Sequence, residues 1–67
     1  MSDSILRLPA VKARCGLSRS SIYKRVAEGD FPAPVPLGGR AVGWSEREVS
    51  DWIKSRIDAA RKGGNAP

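Results

Sequence analysis

A chain of 67 residues with no histidine and one cysteine is a single small domain whose core is too thin to enclose a catalytic pocket as well. It holds ligands for neither a structural zinc nor a disulfide, and no carboxylate pair shielded from water, so an enzyme is the reading its composition opposes most. Twelve Lys and Arg against seven Asp and Glu leave a net charge of +5, carried unevenly. Between Arg7 and Gly43 stand seven basic and two acidic residues, whereas Ser45 to Lys62 holds five basic and four acidic ones. The positive field therefore belongs to the first two thirds of the chain and points to a polyanionic partner.

Met1-Ser2-Asp3-Ser4 has neither the basic nor the apolar region of a secretion signal, and residues 1–4 are expected to be disordered. No apolar run approaches the roughly 20 residues of a membrane span. The expectation is a cytoplasmic, nucleoid-associated protein with no membrane partner, no cofactor and a reduced thiol. A first helix is predicted over about Pro9 to Arg14, since proline suits a first helical turn and Gly16 supplies the stop. Leu8, Val11 and Cys15 share its inner face, so Cys15 reads as a small buried apolar residue rather than a nucleophile.

Ser18 is positioned to cap a second helix by accepting from the amide of residue 20 or 21, and Leu17 and Ile22 form a hydrophobic staple around that cap. The helix covers about Arg19 to Glu28, with Ile22 and Val26 inward and Ser20, Tyr23, Lys24 and Ala27 outward. Two helices joined by so short a glycine turn make a helix-turn-helix, in which the second helix enters the major groove of DNA. After the stop at Gly29, Phe31 returns to the core, and Pro32 and Pro34 forbid helix.

Residues 35–44 read as a two-stranded hairpin, a candidate wing, with Val35, Leu37, Val42 and Trp44 alternating toward one face; the competing reading is an irregular loop. A third helix follows, in which Val49, Trp52, Ile53, Ile57 and Ala60 make one apolar stripe. Ser45 and Glu48 form its capping box, and Trp44 and Val49 its staple. The stripe is expected to be consumed by the domain's own core, leaving no evident dimer seam. Residues 63–67 are expected to be a disordered tail, so the domain itself is placed at 5–62. The predicted fold class is mainly α with a small β-hairpin, a winged helix-turn-helix of three helices and a two-stranded wing.

For DNA contact the candidates are Arg19, Ser20, Ser21, Tyr23, Lys24, Arg25, Arg40, Lys12 and Ser18. Arg19, at the start of the second helix, can reach guanine O6 and N7 with two hydrogen bonds, or rest on a phosphate. Lys24 lies a turn further along and suits either a phosphate or a base, and Ser20 and Ser21 can donate to either. Tyr23 can pack with its ring and donate with its hydroxyl. Arg40 at the wing tip can enter a minor groove, meet a phosphate or stay solvated. Lys12 is a backbone candidate, as are Arg7 and Arg14, and Arg25 either joins them or pairs with Glu28. Trp44 and Trp52 are assigned to the core, not to a stacking surface.

Five runs together resemble the AlpA family of prophage regulatory proteins: Ile5-Leu6-Arg7-Leu8-Pro9, Gly16-Leu17-Ser18-Arg19-Ser20-Ser21-Ile22-Tyr23, Ala27-Glu28-Gly29-Asp30-Phe31-Pro32, Ala41-Val42-Gly43-Trp44 and Val49-Ser50-Asp51-Trp52-Ile53. The resemblance covers roughly residues 5 to 60 and implies a MerR-like winged helix-turn-helix, related in fold to phage excisionases, that acts as a transcriptional regulator near integrase or prophage genes. It implies a major-groove reader made of Arg19, Ser20, Tyr23 and Lys24, and a wing contact at Arg40. Cys15 stands where a threonine is common, and the long dimerising helix of full MerR regulators has no counterpart.

The function expected is sequence-specific binding of double-stranded DNA, with recognition helix 18–28 in the major groove and wing 35–44 on the adjacent backbone or minor groove. Two alternatives stand beside it. One is an excisionase-like architectural factor for site-specific recombination, and the other a protein-interaction adaptor that docks on an acidic surface of a recombinase or RNA polymerase. A single domain reading one half-site binds weakly, so a weak dimer or cooperative binding to repeated sites is also expected.

Overall fold

In the computed structural model, which describes residues 3–62, three helices pack on a small antiparallel sheet. Helix α1 spans Leu8–Cys15, with Pro9 in its first turn, and ends at Gly16, whose φ of 67° lets its N–H reach Lys12 O. Such a left-handed residue closes a helix with little strain only when it lacks a Cβ. Leu17 and Ser18 lead directly into α2, Arg19–Ala27, and Ser18 Oγ accepts from the Ser21 amide as expected of the cap. Ile22, four positions into α2, is fully buried and Leu17 packs against the same core, so the staple sets the angle at which α2 leaves the turn.

α2 ends in a Schellman motif. The Asp30 amide bonds back to Arg25 O at 2.8 Å and the Gly29 amide to Val26 O at 3.1 Å, with Gly29 at φ 77°. The chain reversal throws Phe31 into the core. Beyond it the proline-rich connector is pinned by the two indoles: Trp52 Nε1–H donates to Asp30 O at 2.6 Å, and Trp44 Nε1–H to Pro32 O at 2.9 Å. Carbonyls of a segment that cannot form helix thereby gain donors from the core. Both tryptophans belong to the core, Trp44 fully buried and Trp52 partly.

The hairpin exists, with strands β2, Val35–Gly38, and β3, Ala41–Ser45. Two features differ from expectation. The sheet has three strands, because β1, Ile5–Leu6, pairs with the other edge of β3, opposite Ser45 and Trp44, to give the order β1-β3-β2. And the hairpin register sets Val35 opposite Gly43 and Pro36 opposite Val42, with an irregularity between Pro36 and Gly38. Directly opposed residues share a face, so Val42 and Trp44 point into the core while Val35 and Leu37 lie on the outer face. They remain 40% and 41% exposed, next to Ile5 at 45%. The single apolar face expected of Val35, Leu37, Val42 and Trp44 is thus split by the register. Gly39, at φ 56° in the first central position of the tight turn, pairs Gly38 with Ala41 and dictates that register.

Gly43 is where the sheet is most crowded. A Cβ there would overlap Ile5 Cγ2 and approach Leu6 O and Leu37 Cδ1, so β1 can lie against β3 only over a residue without a side chain.

Helix α3, Glu46–Lys62, begins with Trp44 and Val49 both fully buried, the predicted staple. Its first amides are satisfied from three sources. Glu48 N–H reaches Ser45 Oγ at 3.2 Å, Arg47 N–H reaches Asp3 Oδ1 at 3.1 Å, and Glu46 N–H reaches Ser4 O at 2.7 Å. Asp3 and Ser4, expected to precede the ordered domain, are therefore part of the α3 cap. At the other end, Val49, Trp52 and Ile53 meet the core, but Ile57 is 46% exposed and Ala60 is exposed too. The apolar stripe outruns the core, contrary to the expectation that the core consumes it, because 17 residues at 1.5 Å rise carry the helix past a domain this small. The expected tail at 63–67 and residues 1–2 lie outside the described residues.

Candidate nucleic-acid interface

The local sequence that builds α2 also sorts its side chains. With Ile22 buried and Val26 packed on the core, the 3.6-residue period turns Arg19, Ser20, Tyr23, Lys24 and Ala27 outward, and all five are exposed. This is the outward face expected from the sequence. Neither Arg19 nor Lys24 takes part in an ion pair among the described residues, whereas three other arginines do.

Ser18 and Ser21 are employed differently. Ser18 Oγ accepts the Ser21 amide and donates to Ser21 Oγ, both at 3.1 Å. The two hydroxyls hold the start of α2 together, and Ser20 is the serine left pointing out on the exposed side.

Arg25 pairs with neither a solvent-side partner nor Glu28. Its guanidinium donates to Asp30 Oδ2 at 2.8 Å and lies 6.0 Å from the Trp52 ring centroid. The reason is the Schellman reversal at Gly29, which returns the residue five positions on over the third-last residue of the helix; there an ion pair occupies the place an apolar contact often takes. Arg56 of α3 approaches the same carboxylate at 3.7 Å and the same ring at 5.4 Å. Asp30 thus ties α2 to α3 through its carboxylate and its carbonyl, a role that i, i+3 and i, i+4 spacing could not reveal. The glycine stop was the available signal, since it implies the reversal.

Tyr23 is 37% exposed. Its ring meets Trp44 edge to face, centroids 6.0 Å apart and planes at 64°, and the Arg19 guanidinium carbon lies 5.7 Å from its centroid. The half-packed position expected of this side chain is observed.

Arg40 is exposed beside Gly39 in the hairpin turn, and Lys12 is exposed in the last turn of α1. Arg14 is held by Glu46 at 2.7 Å, joining the end of α1 to the start of α3. Cys15 is half-buried against the core, and burial pushes its thiol pKa up against the opposing pull of Arg14, which suits an apolar packing role. Among the described residues no helix is long and apolar enough to cross a membrane, and no three His, Cys, Asp or Glu side chains gather where they could hold a metal ion.

Comparison with known proteins agrees with this architecture. The family profile described as Prophage CP4-57 regulatory protein (AlpA) matches residues 4–57. The chain is 44% identical over 64 residues to a protein of Enterobacteria phage P4 described as uncharacterized protein ORF88, covering 96% of this chain and 73% of the relative. It is 38% identical over 58 residues to the DNA-binding transcriptional activator AlpA of Escherichia coli strain K12, covering 78% of this chain and 83% of the relative. A profile match that spans β1, the helix-turn-helix, the hairpin and most of α3 places the chain in the AlpA family of prophage regulatory proteins.

Proposed function

We propose that this protein is a sequence-specific binder of double-stranded DNA that regulates transcription of prophage or integrase genes. In this reading α2 enters the major groove and the hairpin at 35–44 lies on the adjacent backbone or minor groove. The observation that carries it is the outward face of α2, where Arg19 and Lys24 stand exposed beside Ser20 and Tyr23 and take part in no ion pair among the described residues. Cations left unpaired on one exposed helix face, beside hydroxyls and an aromatic ring, are available to phosphates and base edges. The family and the named relative from Escherichia coli support the same assignment.

The roles follow from position. Arg19 reads a guanine edge from the first turn of α2, and Ser20, Tyr23 and Lys24 complete the contact with the groove and its rim. Arg40 reaches the backbone or minor groove from the hairpin turn, with Lys12 on a flanking phosphate. Ser18 and Ser21 serve by fixing the helix start. Arg25 serves by fixing its end. A lone domain of this kind covers one half-site, so occupancy depends on repeated sites, weak self-association or a partner such as RNA polymerase or a recombinase. The chemistry is recognition alone, in the cytoplasm where the DNA lies.

Selection of sheared host and prophage DNA by the purified protein at physiological salt tests the reading. A sharp peak beside an integrase or early prophage promoter is expected. A peak at a recombination site far from any promoter would favour the architectural role in excision. Retention of no DNA at all would overturn the proposal in favour of a protein-interaction adaptor.

A further inference from the structure

We infer that Tyr23 is the positioning residue for Arg19, a ring that holds the guanidinium in its reading position before DNA arrives; the inference rests on the base-reading role proposed for α2. Arg19 is the first residue of α2. A cation there sits at the positive end of the helix dipole and gains nothing from it, and no carboxylate pairs with it among the described residues. What does face it is the Tyr23 ring, one helical turn on, with the guanidinium carbon 5.7 Å from the ring centroid. That is within the range at which the electron-rich face of an aromatic ring attracts a cation.

The ring itself is not free to drift. Its edge-to-face contact with Trp44 joins it to a fully buried side chain, whose indole N–H is in turn bonded to Pro32 O at 2.9 Å. A continuous series therefore runs from the proline connector through Trp44 and Tyr23 to Arg19. An arginine on a bare helix surface samples many rotamers and must surrender them to make a bidentate bond; one already resting on an anchored ring surrenders fewer. The gain falls on the complex that needs the one direction in which the ring holds the fork, and a base edge inside the groove is met from one direction whereas phosphates line both rims, so Tyr23 contributes to specificity more than to general affinity.

The test uses the full chain with Tyr23→Phe, Tyr23→Leu, Arg19→Ala and the double variant Tyr23→Leu/Arg19→Ala. In the DNA-free protein, Arg19 side-chain resonances are expected to show ring-current shifts and restricted motion that survive Tyr23→Phe and vanish in Tyr23→Leu. On DNA, the ratio of cognate to random binding at one salt concentration is expected to fall about fivefold in Tyr23→Leu and by clearly less in Tyr23→Phe, which keeps the ring and loses only the hydroxyl's own contact. The loss should be much smaller when Tyr23→Leu is added to Arg19→Ala. An Arg19 side chain as mobile in the wild type as in Tyr23→Leu would overturn the inference whatever the DNA result. So would equal losses from Tyr23→Leu with and without Arg19, or a loss in Tyr23→Phe matching that in Tyr23→Leu, which would assign the effect to the hydroxyl. A wild type without any cognate preference, but with Arg19 ordered on the ring, would instead refute the base-reading role and leave the contact standing.

Discussion

Asp3 accepts the Arg47 backbone N–H across 44 positions of sequence, so the start of the chain caps the start of its last helix. Ser45 extends the arrangement, since its hydroxyl donates to Asp3 Oδ2 while accepting the Glu48 amide. These bonds go to the ionised carboxylate, the Ser45 hydroxyl first and the Arg47 amide next, and they hold the Asp3 pKa below its ordinary value.

A pH signature follows with a definite sign. A carboxyl whose pKa is depressed on folding stabilises the fold above its unfolded pKa, and that stabilisation is lost as pH falls through the lower folded value. Asp3→Ala should therefore lower Tm at pH 7, and the gap to wild type should close as the pH is taken below about 4. Thermal melts at a series of pH values check this. A gap that does not change with pH would mean the carboxylate is not the stabilising form.

Gly43→Ala should destabilise the domain by about 1 to 3 kcal/mol, because the new methyl meets Ile5, Leu6 and Leu37 at once. Trimming the nearest neighbour with Ile5→Ala should restore part of the loss. Denaturant unfolding of the two single variants and the double variant measures the coupling, and purely additive losses would contradict the crowding argument.

Ser18→Ala should cost about 1 kcal/mol, the usual effect of removing a helix cap. It should also reduce DNA affinity without altering sequence preference, since it loosens the start of α2 but touches none of the outward side chains. Urea titration and competition binding give the two halves of the prediction.

Arg25→Ala should lower stability without changing the salt dependence of DNA binding, as its guanidinium is committed to Asp30. Arg40→Ala should do the reverse, weakening cognate and random DNA alike and reducing the log-log salt slope by about 0.9 if one phosphate contact is lost. Measured slopes for the two variants beside wild type separate the roles. A reduced slope in Arg25→Ala would return that residue to the DNA surface.

A short isolated site bound by a single monomer is expected to be weak, with nanomolar affinity reached only on repeated or adjacent sites. Titration of one against two sites, with the stoichiometry determined by sedimentation, checks this. Nanomolar binding of one monomer to one isolated site at physiological salt would refute it.

Much of the architecture is written in contacts between residues a few positions apart. The Ser18 cap, the Leu17 and Ile22 staple, the Gly16 and Gly29 stops and the Trp44 and Val49 staple all act within one or two turns, so spacing alone reveals them. The outward face of α2 follows for the same reason, because a helix period and two buried residues determine where Arg19, Tyr23 and Lys24 must point. Tertiary structure decided the relationships that span a chain reversal or a sheet. β1 and the Asp3 cap require residues 3–6 to meet residues 44–47, some forty positions on, and nothing in Asp3-Ser4-Ile5-Leu6 announces the partner. The hairpin register turned on which glycine of the Gly38-Gly39 pair sits in the turn, and a shift of one residue moves Val35 and Leu37 from the core to the surface. Arg25 met Asp30 because Gly29 folds the chain back on itself. Likewise, the stripe on α3 continues to Ala60 in sequence, but a core this small ends near Ile53. Local periodicity reports which side of an element is apolar; only packing determines how much of that side finds a partner.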